Sequence, residues 1–82
     1  MVKVLFDKKF QQIVEKIRDP TTKESVKDKI AKIVENPEIG KPMRYARKGT
    51  REVYVGSFRL SYAYHPAEEL IEFLDVYHKD EQ

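Results

Sequence analysis

The chain has 82 residues, with 16 Lys and Arg against 14 Asp and Glu and no cysteine. That length reads as one domain, 1–82, without room for a second core, and the lack of cysteine excludes disulfides and thiolate zinc sites and fits a reducing cytoplasm. No apolar run approaches the ~20 residues that span a bilayer, and the opening MVKVLFDKK turns charged too soon for a secretory signal.

Val2, Val4 and Phe6 alternate with Lys3 and Leu5, which predicts a short first strand. Asp7 can cap a helix whose Phe10, Ile13, Val14 and Ile17 fall on one stripe. Asp19-Pro20 closes that helix, because the residue before proline leaves the α region. Thr21 with Glu24 forms a capping-box pattern for a second helix. Its stripe is Val26, Ile30, Ile33 and Val34, and Asn36-Pro37 stops it. The two helices should form an antiparallel hairpin with one shared apolar face.

From Met43 the period changes from 3.6 to 2. Strands are expected at Met43–Arg47, Arg51–Val55 and Phe58–Tyr64, then Leu70–Tyr77, with Gly56-Ser57 as a tight turn and His65–Glu68 as a polar one. The fold class is therefore α+β, in the order β-α-α-β-β-β-β, with the helical hairpin on one face of an antiparallel-rich sheet. Val53, Val55, Phe58, Leu60, Tyr62 and Tyr64 should face the helices. Arg59, Ser61, Ala63, Glu52 and Tyr54 should face away from them.

Near-neutrality overall conceals two opposed blocks. Lys41, Arg44, Arg47, Lys48, Arg51 and Arg59 stand against Glu52 alone in residues 41–59, whereas six acids face only Lys79 in residues 60–82. A concentrated basic block attracts polyanions. Arginine inside a strand gives up packing, so Arg59 either makes a surface ion pair or binds something; its planar guanidinium suits phosphate. The two histidines have no carboxylates at metal-ligand spacing, so neither a metal nor a cofactor is expected. His65, in HPAE, reads as a solvated turn residue.

The element order, with GKPM, GTREVYVGSFRLSYAY and the closing VYHKDE, resembles the RelE/ParE superfamily of type II toxin–antitoxin toxins over essentially the whole chain. REVYVGSFRLSY carries the most specific part of that resemblance. RelE-like members are ribosome-dependent mRNA interferases, and ParE-like members inhibit DNA gyrase. The resemblance thus implies a cytoplasmic, metal-independent endoribonuclease with a RelB-like antitoxin, the ribosome and mRNA as partners, and allows a heterotetramer with the antitoxin. The alternatives are a ParE-like gyrase inhibitor and a decayed toxin that only binds its antitoxin.

Carried over by position, Arg59 falls on the strand arginine that contacts the scissile phosphate. His78 falls on the general acid or base of the YoeB and YafQ branches, and Lys79 near a C-terminal cation of the RelE branch. RelE has lysines where this chain has Glu52 and Tyr54, and the YoeB glutamate has no counterpart among Lys41 to Met43. Cleavage by the RNA's own 2′-hydroxyl needs a base, positive charge on the phosphorane and an acid. His78 has a near-neutral unperturbed pKa for either proton role. Glu52 is a candidate base, though an ion pair with Arg59 or Arg51 is the favoured reading. Arg44, Arg47, Lys48 and Arg51 are expected on backbone phosphates, with Tyr54 available to stack on a splayed base.

Overall fold

The computed structural model describes residues 2–44 and 49–81. Five strands form one mixed sheet in the order β1-β5-β4-β3-β2. They are β1 (Lys3–Phe6), β2 (Lys41–Pro42), β3 (Arg51–Val55), β4 (Phe58–His65) and β5 (Leu70–His78), and helices α1 (Lys8–Lys16) and α2 (Pro20–Glu35) fall between β1 and β2. β1 runs parallel to β5, and the other pairs are antiparallel. This is the expected α+β arrangement, with the N-terminal strand in the sheet and both helices against one face.

α1 lies over β5 and α2 over β3. Phe10, Val26 and Ile33 from the helical stripes meet Val55, Leu60, Tyr62, Ile71, Phe73 and Val76 in the buried core, and Ile13, Val14, Ile17, Ile30, Val34, Val53 and Phe58 pack around it. Phe6 stacks on Phe73 with ring centroids 5.2 Å apart, and Phe10 leans on both. Burying such side chains supplies most of the drive to fold.

Three local expectations are revised. Asp19-Pro20 opens α2 rather than closing α1: Asp19 is the N-cap, its carboxylate accepting from the Thr21 backbone N–H at 3.2 Å and the Thr22 hydroxyl at 2.7 Å, with Pro20 at the first helical position. Proline is at home there because its missing N–H would have no helical partner. Second, a two-residue strand at Lys41–Pro42 pairs with Glu52 and Arg51 just before the strand expected at Met43–Arg47, whose described residues Met43 and Arg44 lie outside any strand. The Met43 N–H still bonds the Thr50 carbonyl at 3.0 Å, and residues 45–48 lie outside the described residues. Third, β4 runs one residue further, to His65, before the 3-10 turn Pro66–Glu68.

Gly56 turns the chain between β3 and β4 with φ +59, while Ser57 keeps a negative φ. A first turn residue in the left-handed region is the type II′ pattern, whose twist suits a two-residue hairpin. β5 contains a bulge: Ser61 pairs with Asp75 and Tyr62 with Phe73, leaving Leu74 unmatched. One extra residue reverses the in–out alternation beyond it. Phe73 and Val76, three positions apart, therefore both lie in the helix-covered core.

Candidate functional site

On the face away from the helices, cross-strand pairing sets Tyr54 opposite Arg59 and Arg59 opposite Tyr77. The Arg59 guanidinium carbon lies 3.8 Å from the Tyr54 ring centroid, a cation–π stack. One Arg59 nitrogen, Nη1, donates to the Phe58 carbonyl at 3.1 Å. Tyr54 is 59% exposed, whereas Tyr77 beside it is 7% exposed. Behind this pair the floor consists of Glu52, Ser61 and Ala63, all buried. β4 is the middle strand, and its small Ser61 and Ala63 sit between longer side chains of β3 and β5. Glu52 is 4% exposed and is not without a partner, so its carboxylate belongs to the floor rather than to a solvent-facing base.

The structure does not bring His78 to Arg59. His78 pairs with Phe58, and Phe58 packs against the core under the helices. The imidazole meets the Phe58 ring edge-on at 5.6 Å. Its Nδ1 accepts the Asp80 backbone N–H at 3.3 Å and lies 3.4 Å from the Asp80 carboxylate. The cause is the Leu74 bulge: strict alternation from Phe73 would have put Tyr77 inside and His78 on the Arg59 face. Next to Phe58 on the helix side is a hollow of about 370 Å³ lined by Ile13, Lys16, Ile17, Arg18, Asp19 and Thr22. It lies on the opposite side of the sheet from Arg59.

Among the expected phosphate contacts, Arg51 is directed elsewhere. It pairs with Tyr62 on the helix face, and its Nη1 donates to the Glu38 carbonyl at 3.1 Å and the Gly40 carbonyl at 2.8 Å. Arg44 is exposed beyond β2, and Lys41 is exposed opposite Glu52 on the Arg59 face. Arg47 and Lys48 lie outside the described residues. Lys79 follows β5, its backbone N–H bonded to the Ser57 carbonyl at 2.9 Å.

Sequence reasoning placed His65 in a solvated turn, but it ends β4 with Nε2 2.7 Å from Glu72 Oε1. The one signal available was their shared parity across the β4–β5 hairpin. Reasoning from sequence also missed Tyr62 as a polar tie: its hydroxyl donates to the Pro37 carbonyl at 2.7 Å and accepts the Gly40 N–H at 2.9 Å. Burial raises the Tyr62 pKa above its ordinary value of 10.0, with the Gly40 N–H and the Arg51 charge opposing. Among the described residues no group of three His, Cys, Asp or Glu side chains could hold a metal, and no helix is long and apolar enough to cross a membrane.

Residues 4–82 match the family model described as "ParE toxin of type II toxin-antitoxin system, parDE". A comparison with curated protein sequences found no match. Among solved structures, the fold is similar to a chain of the toxin–antitoxin complex RelBE2 from Mycobacterium tuberculosis, at 24% identity and TM-score 0.81 over 94% of this chain and 96% of that one. It is also similar to a chain of the intact RelBE toxin–antitoxin complex of E. coli (19%, TM-score 0.79, 95% and 96% covered). The YoeB/ParE toxin from Agrobacterium tumefaciens aligns at 15% identity and TM-score 0.83, with 94% and 98% covered. The chain belongs to the ParE toxin family within the RelE/ParE superfamily, and it is a toxin of a type II toxin–antitoxin system.

Proposed function

We propose that this toxin cuts messenger RNA in the ribosome, with Arg59 holding the reacting phosphate. The observation that supports this most is the setting of Arg59: a strand-borne guanidinium on the helix-free face, laid on Tyr54 at 3.8 Å and tied to the Phe58 carbonyl. A cation held this way loses little freedom when a phosphate arrives. In the reaction the RNA 2′-oxygen bonds to phosphorus and loses its proton. The bond from phosphorus to the 5′-oxygen breaks, that oxygen takes up a proton, and a cyclic phosphate remains. Arg59 supplies the electrostatic share, stabilising charge on the phosphorane. Lys41, on the same side of the sheet, and the exposed Arg44 add backbone attraction. His78, paired with Phe58 on the helix side, is given no proton role here. A RelB-like antitoxin, carrying an acidic and apolar segment, covers the basic block and so withholds the toxin from the ribosome.

Single-turnover cleavage of ribosome-bound mRNA tests this reading. Arg59→Ala is expected to lose ~10²–10³ in rate with ribosome affinity nearly intact. Equal rates in Arg59→Ala and the unchanged protein would remove Arg59 from the chemistry.

The placement of His78 on the other face favours a second reading, a ParE-like toxin that binds DNA gyrase and cuts no RNA. Purified gyrase separates the two. Loss of supercoiling with ribosome-bound message left intact would replace the nuclease reading.

A further inference from the structure

We propose that Tyr54 and Arg59 form a single nucleotide-binding unit, in which the outer face of the Tyr54 ring takes a nucleobase and the guanidinium beneath it takes the adjoining phosphate. The proposal rests on the RNA reading above and adds to it the way one nucleotide is held.

Three observations carry it. The guanidinium covers one face of the ring, yet Tyr54 remains 59% exposed, so ring surface is still open to a ligand. β2 pairs only Lys41 and Pro42 with β3, opposite Glu52 and Arg51, so no described strand residue pairs with Tyr54 on the side away from Arg59. Finally, the Phe58 carbonyl holds one guanidinium nitrogen, Nη1, which together with the ring stack fixes the plane of the group.

The chemistry follows from that arrangement. A ring with a cation on one face and solvent on the other is a stacking platform, and every base has a π-face to offer it. The guanidinium edge offers parallel N–H groups to two phosphate oxygens. Base and phosphate of one single-stranded nucleotide are close enough to engage both at once. Tyr54 is then a positioning residue for Arg59 as well as a ligand contact. The unit selects single strands, because a duplex keeps its bases stacked on one another.

The test measures binding of the purified toxin to two probes of equal length, an oligouridylate and an abasic ribose-phosphate chain. The unchanged protein should prefer the oligouridylate. Tyr54→Ala should lower oligouridylate affinity by about 5- to 150-fold, the range for losing one stacked base, and bring the ratio of the two affinities towards one. Tyr54→Phe should keep the ratio, since the ring and not the hydroxyl makes the stack. Melting temperatures of all three proteins should agree, given the exposure of Tyr54. An unchanged ratio in Tyr54→Ala, or equal affinities for both probes in the unchanged protein, would overturn the proposal. So would a parallel loss on both probes accompanied by a lower melting temperature. These outcomes are separable from the nuclease reading: a toxin that cleaves ribosome-bound mRNA but shows no base preference keeps that reading and loses this one. A toxin that prefers the oligouridylate but leaves the message uncut does the opposite.

Discussion

Tyr62 has no exposed surface, yet its hydroxyl ties two backbone groups of the α2–β2 connection, and Arg51 ties two more. Removing only the oxygen, in Tyr62→Phe, leaves the Gly40 N–H and the Pro37 carbonyl without that partner. Urea unfolding should show a loss of about 1–3 kcal/mol, the cost of stranding buried polar groups. The raised Tyr62 pKa also sets a pH window. Its share of stability is complete below about pH 10 and is lost as pH rises through the higher folded-state value, because the unfolded chain gives up the proton first. Tyr62→Phe should flatten that alkaline decline. Gly40 stands against the same ring: a Cβ there would lie 2.5 Å from the Tyr62 hydroxyl and 2.9 Å from Arg51 Cβ. Gly40→Ala should therefore destabilise as well, by displacing the tie. Alternation along β4 was enough to place Tyr62 under the helices, but not to find its partners, since a hydroxyl bonding 22 residues away leaves no periodic trace. The same alternation put Arg59 and Tyr54 on one face correctly, because both lie in strands without interruption.

At the scale of elements, the helices and the β3–β4 hairpin were legible and β5 was only half so. Heptad-like stripes and a Gly turn are local patterns, whereas a bulge is decided by the partner strand. Leu74 breaks no rule of composition, yet being unmatched it defeats any parity count from Phe73 to His78, which pairs with Phe58 and not with Arg59. Deleting Leu74 should remove the bulge and leave the β4–β5 pairs as they are, with Phe73 and Val76 still under the helices and Asp75 still opposite Ser61. No carboxylate is buried by that change, so the deletion should unfold at a urea midpoint near that of Leu74→Ala; a far lower midpoint would mean that the pairing beyond the bulge is not kept when the extra residue goes. The start of α2 offers a milder test. Asp19 is held below its ordinary pKa of 3.8, first by the Thr22 hydroxyl and then by the Thr21 N–H. The cap's contribution is present above that value and fades as pH falls through the lower folded-state one. Asp19→Ala should thus melt earlier than the unchanged protein near neutrality, with the gap closing in strong acid. A capping box at Thr21 competed for this position in the sequence; Asp-Pro prevailed because one carboxylate meets two donors at once.

For the whole molecule, the sheet divides two kinds of change. Leu60, fully buried beneath the helices, should cost ~2–5 kcal/mol when cut to Ala, while Arg59→Ala should change stability little and activity strongly. Arg44→Ala should weaken ribosome binding, give a shallower salt dependence and keep the rate at saturation. The global fold was legible because a distinctive strand–turn–strand segment brought a whole architecture with it, but the site was less so, because faces depend on register and register on one unmatched residue. The pairing of β1 with β5 has a consequence in time. Lys3 finds its partner only at Leu70, so a chain made from its N-terminus keeps its first strand idle while both helices and three more strands are synthesised. The β3–β4 hairpin closes locally through two residues, β5 joins it, and β1 can dock only afterwards. β1 is thus the strand that completes the sheet, and it can do so only once β5 has been made.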